Sequence, residues 1–306
     1  MTHSLKVAVA PSPAHFATRL FLGFMWLLHW LPLPVQAAFG WVLGHLLYLL
    51  VAPRRRVVMI NLRLCFPELT EAQRCRLARQ NFVAVTRSML ERSVIWWASG
   101  ARIRRLVQLH GLDKVRTAHA QGRGVVMLVP HFVGLDMAGS RMAMEMDCVS
   151  MYSAQLNKVL EKMLLHGRTR FGSQVLLSRQ EGIRGAVRAI KQGRPFYYLP
   201  DLDYGPKESI FAPFFGVQTA TIPGLPRIAR LGDALVIPLV VRMKSWGRGY
   251  IGEFGEPWTD FPGEDVATDT ARMNAWIESE VRKIPAQYYW VHKRFKTRPD
   301  GEPKLY

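Results

Sequence analysis

The sequence predicts an α/β fold, a sheet flanked by helices, with an apolar helical segment at its N-terminus. Two observations carry this reading. Past residue 120, short apolar runs bounded by Gly and Pro alternate with segments of helical spacing. Near the start, the stretch from Leu20 to Ala52 holds no Asp, Glu, Lys or Arg. The 306 residues are 49% hydrophobic, enough for one large core. We expect a membrane-associated segment over 1–55 and a body over 56–306.

Pro32 and Pro34 interrupt the apolar stretch. Leu20–Leu31 is too short to cross a hydrocarbon layer of ~30 Å as a helix, and Val35–Ala52 is borderline. The length, the prolines and the following Arg54, Arg55 and Arg56 argue against a cleaved signal peptide. Three arrangements stay open: one tilted span, a proline-broken hairpin dipping into one leaflet, or two buried helices of a soluble core. Trp26, Trp30 and Trp41 suit an interfacial belt, and the arginines suit anionic headgroups, so membrane contact is the expectation. The same arginines place the body on the cytoplasmic side.

From Arg54 to Arg105 there are twelve arginines against three acids, a local net of +9. Apolar residues are interleaved with them, as in helices lying near a membrane surface or in ordinary amphipathic helices. In the body, Val125–Val129 reads as a buried strand ending at Pro130, and Val133–Met146 as a helix. Cys148–Tyr152, Phe196–Leu199 and Ala234–Val241 read as strands, with Tyr250–Phe254 pairing beside the last, and Val175–Leu177 is a short apolar run. Helices are expected over Val159–Phe171, Glu181–Gln192, Leu225–Leu231 and Val266–Lys283.

The whole chain carries a net charge of +18, which favours polyanionic partners such as nucleic acid, anionic lipid or an acidic carrier protein. No helix-turn-helix, zinc-finger or RNP pattern accompanies the charge, so nucleic acid is not the expected partner. Cys65, Cys75 and Cys148 have no metal-site spacing and suit a reducing compartment.

The central signal is Val129-Pro-His-Phe-Val-Gly-Leu-Asp136. His131 follows a strand end, where α/β sheets bind ligands, and the next helix begins just beyond it. A hydroxyl becomes a nucleophile when a base takes its proton. Histidine titrates near neutral pH, and a carboxylate such as Asp136 can fix its tautomer. Nine histidines and 23 acids produce this spacing by composition alone, but only His131 combines it with a preceding strand. A capping or core histidine is the competing reading.

Other motifs are weaker. Gly247-Arg-Gly-Tyr-Ile-Gly252 matches a dinucleotide fingerprint, but no helix follows, so a hairpin turn is expected. Asp201-Leu-Asp203 follows a strand and could hold a metal–nucleotide or simply shape a loop. Arg168 and Arg170 could clamp an anion or stabilise an oxyanion, or cap a helix C-terminus.

These residues resemble the late (secondary) lipid A biosynthesis acyltransferases of Gram-negative bacteria, of the lauroyl-transferring type. The matching segments are Asn61-Leu-Arg-Leu-Cys-Phe-Pro67, His131 to Asp136, Gly167-Arg-Thr-Arg170, Pro200-Asp-Leu-Asp-Tyr-Gly-Pro206, Phe214-Phe-Gly216 and Tyr289 to Pro299. The resemblance implies a glycerol-phosphate acyltransferase-like fold at the cytoplasmic face of the bacterial inner membrane. It implies O-acyl transfer from acyl carrier protein to the 3-hydroxyl of an acyl chain on a Kdo-bearing, tetra-acylated lipid A precursor. By position, His131 is the general base and Asp136 orients it, where many relatives have Glu. Arg170, with Arg168, holds the acidic partner or the developing charge, and Asp201 is structural or positions substrate. No cofactor and no metal are implied. A lysophospholipid or ornithine-type lipid as acceptor, or a metal-dependent glycosyltransferase using Asp201 and Asp203, are the alternatives. Met142, Met144, Phe132 and Trp97 are candidates for closing an acyl pocket.

Overall fold

The computed structural model describes residues 15–178 and 182–306. Glu181, the expected first residue of one helix, lies outside the described residues. The expected alternation is present as a seven-stranded sheet. Its strands are β1 (Val107–His110), β2 (Gly124–Leu128), β3 (Val149–Tyr152), β4 (Val175–Ser178), β5 (Phe196–Tyr198), β8 (Ala234–Met243) and β9 (Tyr250–Phe254), in the order β1-β9-β8-β2-β5-β3-β4. All neighbouring pairs are parallel except β8 and β9. That pair is joined by the Gly247–Gly252 turn, so the fingerprint-like motif is the expected hairpin. Gly249, at φ +97, is required there: a Cβ would meet the Leu106 carbonyl oxygen at 2.2 Å.

Two elements escape the apolar pattern. β1 is an edge strand whose parallel partner residues lie 143 positions further along the chain. A separate hairpin, β6 (Ile210–Phe214) and β7 (Val217–Thr221), turns at Phe215-Gly216, both at positive φ. Its outer strand carries Pro213, which hides it from a strand reading.

Strand alternation sorts the central strand between two layers. Val125 and Met127 of β2 pack with Leu239 and Tyr250 against α4 (Glu71–Trp97), α6 (Leu112–Ala120) and α7 (Leu135–Met142). Val126 and Leu128 pack on the opposite face with α9 (Gly182–Lys191), α10 (Gly224–Gly232) and α11 (Val266–Lys283). The helix expected over Val133–Met146 is shorter, because Phe132 and Val133 are drawn into contact with Tyr288 and Gln287.

The apolar N-terminus forms α1 (Phe16–Trp30) and α2 (Leu33–Leu50), bent at Pro32. By length and composition, α2 is the one helix among the described residues that could cross a membrane. α3 (Ala52–Cys65) and α5 (Gly100–Leu106) complete the basic helical region, and α8 (Lys158–Thr169) follows β3. α4 starts on a capping box, Thr70 with Gln73, which satisfies two of its free N–H groups.

The C-terminal segment is tied down by buried asparagines. Asn61 donates to the Trp290 and His292 carbonyls, and Asn81 to those of Ala286 and Tyr288. His292 Nε2 accepts from the Asp203 N–H at 3.1 Å, which requires that nitrogen unprotonated. Burial, aided by the nearby Arg294 charge, lowers His292 from 6.5 to about 4. A depressed histidine contributes stability that is complete above its unfolded pKa and lost as pH falls through the folded one. Folding stability is therefore expected to decline between pH 6.5 and 4. His292→Gln should reduce that slope in denaturant titrations run at a series of pH values.

Candidate active site

His131 lies three residues beyond β2, and Asp201 three residues beyond the parallel neighbour β5. Val129 extends the pairing by donating to the Tyr198 carbonyl at 2.9 Å. The two loops therefore leave adjacent strand ends side by side. Asp201 Oδ2 accepts from the His131 backbone N–H at 2.9 Å, and Oδ1 from its Nδ1 at 2.6 Å. A carboxylate can only accept, so Nδ1 carries a proton, and when the ring is neutral the lone pair is on Nε2. Burial alone would raise the Asp201 carboxyl. The charge and hydrogen bonds of His131 outweigh it and hold the group below its ordinary value.

This corrects the expectation for Asp136. No hydrogen bond joins it to His131; its Oδ2 accepts from Arg92 Nε at 3.0 Å and Nη2 at 2.6 Å. Arg168 Nη2 lies 3.6 Å from Oδ1. The reason is local: α7 starts at Leu135, so Asp136 sits in its first turn and faces α4 and α8 rather than the preceding loop. Burial pulls its carboxyl up, but the two arginines and, less strongly, His131 keep it below the usual carboxylate range.

Arg168 and Arg170 part company. Arg168 lines a cleft with His131, Asp136, Arg92 and Tyr289. Arg170 does not reach it: Nη1 donates to the Ile95 carbonyl at 2.8 Å and Nη2 to that of Ala98 at 2.6 Å. It closes the end of α4, where carbonyls lack helical partners. Arg170, expected at the substrate, is placed at this helix end instead of facing the cleft. Asp203 is likewise committed, accepting from Gly205 N, Thr297 N and Thr297 Oγ1 at 2.8–2.9 Å. Asp201 and Asp203 serve different partners, and the described residues contain no group of three or more metal-ligand side chains.

The cleft encloses about 1800 Å³ including its open mouth. Beyond Asp136 and Arg168 it continues into a narrower recess of about 710 Å³, its open side included. Ile95, Trp96, Met142, Cys148, Leu164 and Leu176 line this recess, with Tyr197 at its wall. Of the pocket candidates, Met142 lines the recess and Phe132 the cleft, Met144 borders a separate surface hollow, and Trp96 stands where Trp97 was expected. Arg92, Trp96 and Tyr197 carried no local signal, since each comes from an element remote in sequence. A cation pair, a histidine with a fixed tautomer and an apolar recess suit proton transfer beside a hydrocarbon chain.

A family model for bacterial lipid A biosynthesis acyltransferases matches residues 10–297. The chain belongs to that family. It is an acyltransferase. It is similar to the lipid A biosynthesis lauroyltransferase of Escherichia coli K12, at 35% identity over 96% of each chain. The palmitoleoyltransferase of the same organism is 32% identical over 96% of this chain and 95% of its own. The myristoyltransferase is 32% identical over 89% and 83%. The resemblance read from the motifs therefore holds at the level of the family, while these relatives are named for three different acyl chains.

Arg170→Ala should lower stability by about 2 kcal/mol, the order of two charged hydrogen bonds to carbonyls. Thermal unfolding in detergent measures this, and turnover per folded molecule should stay within a few-fold of the parent.

Proposed function

We propose that this acyltransferase moves a fatty acyl group from the thioester of acyl carrier protein to the 3-hydroxyl of an acyl chain on a Kdo-bearing, tetra-acylated lipid A precursor. It acts at the cytoplasmic face of the bacterial inner membrane, with the apolar N-terminal helices in contact with lipid. The observation that carries the reading is His131, held by Asp201 in a cleft that also presents Arg92 and Arg168 and continues into an apolar recess.

In this mechanism the acceptor hydroxyl gives its proton to His131 Nε2. Its oxygen attacks the thioester carbonyl carbon, the carbon–sulfur bond breaks, and the departing thiolate takes the proton back from the imidazolium. The products are the new ester and the free carrier thiol. Asp201 fixes the tautomer and stabilises the transient imidazolium. Asp136 holds Arg92 and Arg168 and adds a second negative charge near the ring. Arg168, with longer contacts to Asp136 and the Met151 carbonyl, is the cation placed to meet substrate charge or the oxyanion. The recess accepts the donor chain, and the side chains that line it limit the length it takes.

His131→Ala should cost roughly 10²-fold or more in kcat, and Asp201→Asn between roughly 10²- and 10⁴-fold. Mass spectrometry of product formed from lauroyl-, myristoyl- and palmitoleoyl-carrier protein reads both. A His131→Ala enzyme that keeps its rate would refute the base assignment, and no acylation by the parent with any donor would refute the acceptor.

Chain length has its own test. Gly139 lines the recess, and a Cβ there meets only ordinary contacts with Tyr197 at 3.7 Å or more. Gly139→Leu should fold and shift donor preference toward shorter chains. An unchanged preference in a mixed-donor competition would place the donor chain elsewhere.

A further inference from the structure

The charge-free N-terminal helices expose large apolar side chains to the outside of the molecule. Leu20, Phe24 and Leu27 of α1 and Phe39, Val42 and Leu49 of α2 are each at least half exposed. The other face of α2 is packed tightly. Gly40 and Gly44 lie against Arg87 and Val83, where a Cβ would come within 2.5–2.6 Å of α4. Gln36 accepts from Ser93 Oγ at 3.1 Å, and Tyr48 packs on Phe82 with ring centroids 5.5 Å apart. The two helices thus run antiparallel in contact from Gln36 to Tyr48, about 18 Å at 1.5 Å per residue.

Both ends of α2 and the start of α1 are fastened to the body. At the bend, Arg102 donates to the Leu31 carbonyl at 2.6 Å and to that of His29. Gly247, in the β8–β9 turn, touches the backbone of Leu33 and Pro34, so that a Cβ would meet it at 2.5 Å. At the other end Arg55 caps the Tyr48 carbonyl at 2.6 Å, and Arg54 donates to the Val291 carbonyl at 3.2 Å. Thr18 of α1 accepts from Asn157 at the start of α8.

We propose that α1 and α2 lie flat within a single leaflet and that α2 does not cross the bilayer. The proposal rests on the membrane location given above and adds its geometry. A spanning α2 would have its ends on opposite sides of the hydrocarbon, yet the body holds both. It would also carry α4 inward, with the ion-paired Arg87, Glu91 and Arg92, charges that are costly at the depth of the bilayer centre.

Charge complementarity identifies the occupant of the exposed face as anionic lipid. Exposed arginines flank the apolar surface: Arg19 at the start of α1, Arg104 and Arg105 beside the bend, and Arg54 and Arg56 past the end of α2. Such a rim on an apolar face suits a leaflet bearing anionic headgroups. The position also serves the reaction. α8, joined to α1 through Asn157 and Thr18, lines the cleft with Glu161, Leu164 and Leu165. A lipid hydroxyl can thus reach His131 beside α1 while its chains remain in the leaflet.

The test uses the full chain in vesicles of phosphatidylethanolamine and phosphatidylglycerol. Nitroxide labels are placed one at a time on cysteines replacing Val35, Phe39, Val42, Leu46 and Leu49, all exposed, in a Cys75→Ser background. Depth is read from collision rates with oxygen and with a nickel chelate. The expected result is one shared depth, within a single leaflet, at all five sites. Val35 and Leu49 are about 21 Å apart along the helix. A depth that peaks at Phe39 and Val42 and falls toward both ends would overturn the proposal and leave a spanning enzyme. Full access of the chelate at all five sites would overturn the membrane location itself.

Discussion

One carboxylate, Asp201, holds the site together by taking two hydrogen bonds from a single residue, one from the backbone of His131 and one from its ring. Backbone and side chain are fixed at once, so the imidazole has neither a free rotamer nor a free tautomer. This works only because β2 and β5 are adjacent and parallel, which brings two loop starts to the same edge of the sheet. The loop carrying His131 is braced from its other side as well. Phe132 bridges to Tyr288, and Tyr288 is clamped by Asn81 of α4. Asn61 of α3 does the same for Trp290 and His292. A buried amide that bonds two carbonyls leaves few unsatisfied groups in a segment without regular structure. The motifs around Asn61 and around Tyr289, far apart in sequence, are two halves of one brace.

Much of the sheet was legible because its central strands are buried on both faces. Val125–Val129 is continuous, apolar and ends at a proline, and the strand lies where that pattern puts it. The Gly247–Gly252 turn was legible for a different reason, the lack of a following helix. The acid bonded to His131 was not legible. It lies 70 residues away, and nothing local distinguishes it from Asp136, which has the expected spacing. Helical geometry decided between them: once Leu135 is the first helical residue, Asp136 is carried toward α4. Arg168 and Arg170 are two residues apart, but a helix terminus points them in different directions, one to the cleft and the other to the end of α4. β1 and the β6–β7 hairpin are short or proline-bearing, and their pairing depends on partners that periodicity does not reveal.

The cleft divides its work along its depth. Where the cleft meets the recess, Arg92 and Arg168 face a single carboxylate, Asp136, so the three side chains carry a net +1. Behind them the lining turns apolar, with Trp96, Met142 and Cys148 all nearly inaccessible to solvent. An amphiphile entering head-last would leave its charge at the arginines and its chain in the recess. Burial raises the phenol of Tyr197, the wall of that recess, well above its ordinary value, and the Asp136 charge adds to this. Tyr197 therefore stays neutral and donates to the Leu135 carbonyl at 2.8 Å, which ties the wall to the start of α7.

The apolar helices at the N-terminus are more than a tether. Met25, Leu28, Leu33 and Ala37 are nearly solvent-free, and the first three share a hydrophobic cluster with Val125, Ile237 and Tyr250 of the sheet. Trimming residues up to the end of α2 to obtain a water-soluble enzyme would expose α4 along most of one side and uncover the buried Arg87–Glu91 pair. The N-terminal helices are therefore part of the interior of this protein. Engineering it for aqueous work would require repainting the outer faces of α1 and α2 with polar side chains while leaving their inner faces untouched.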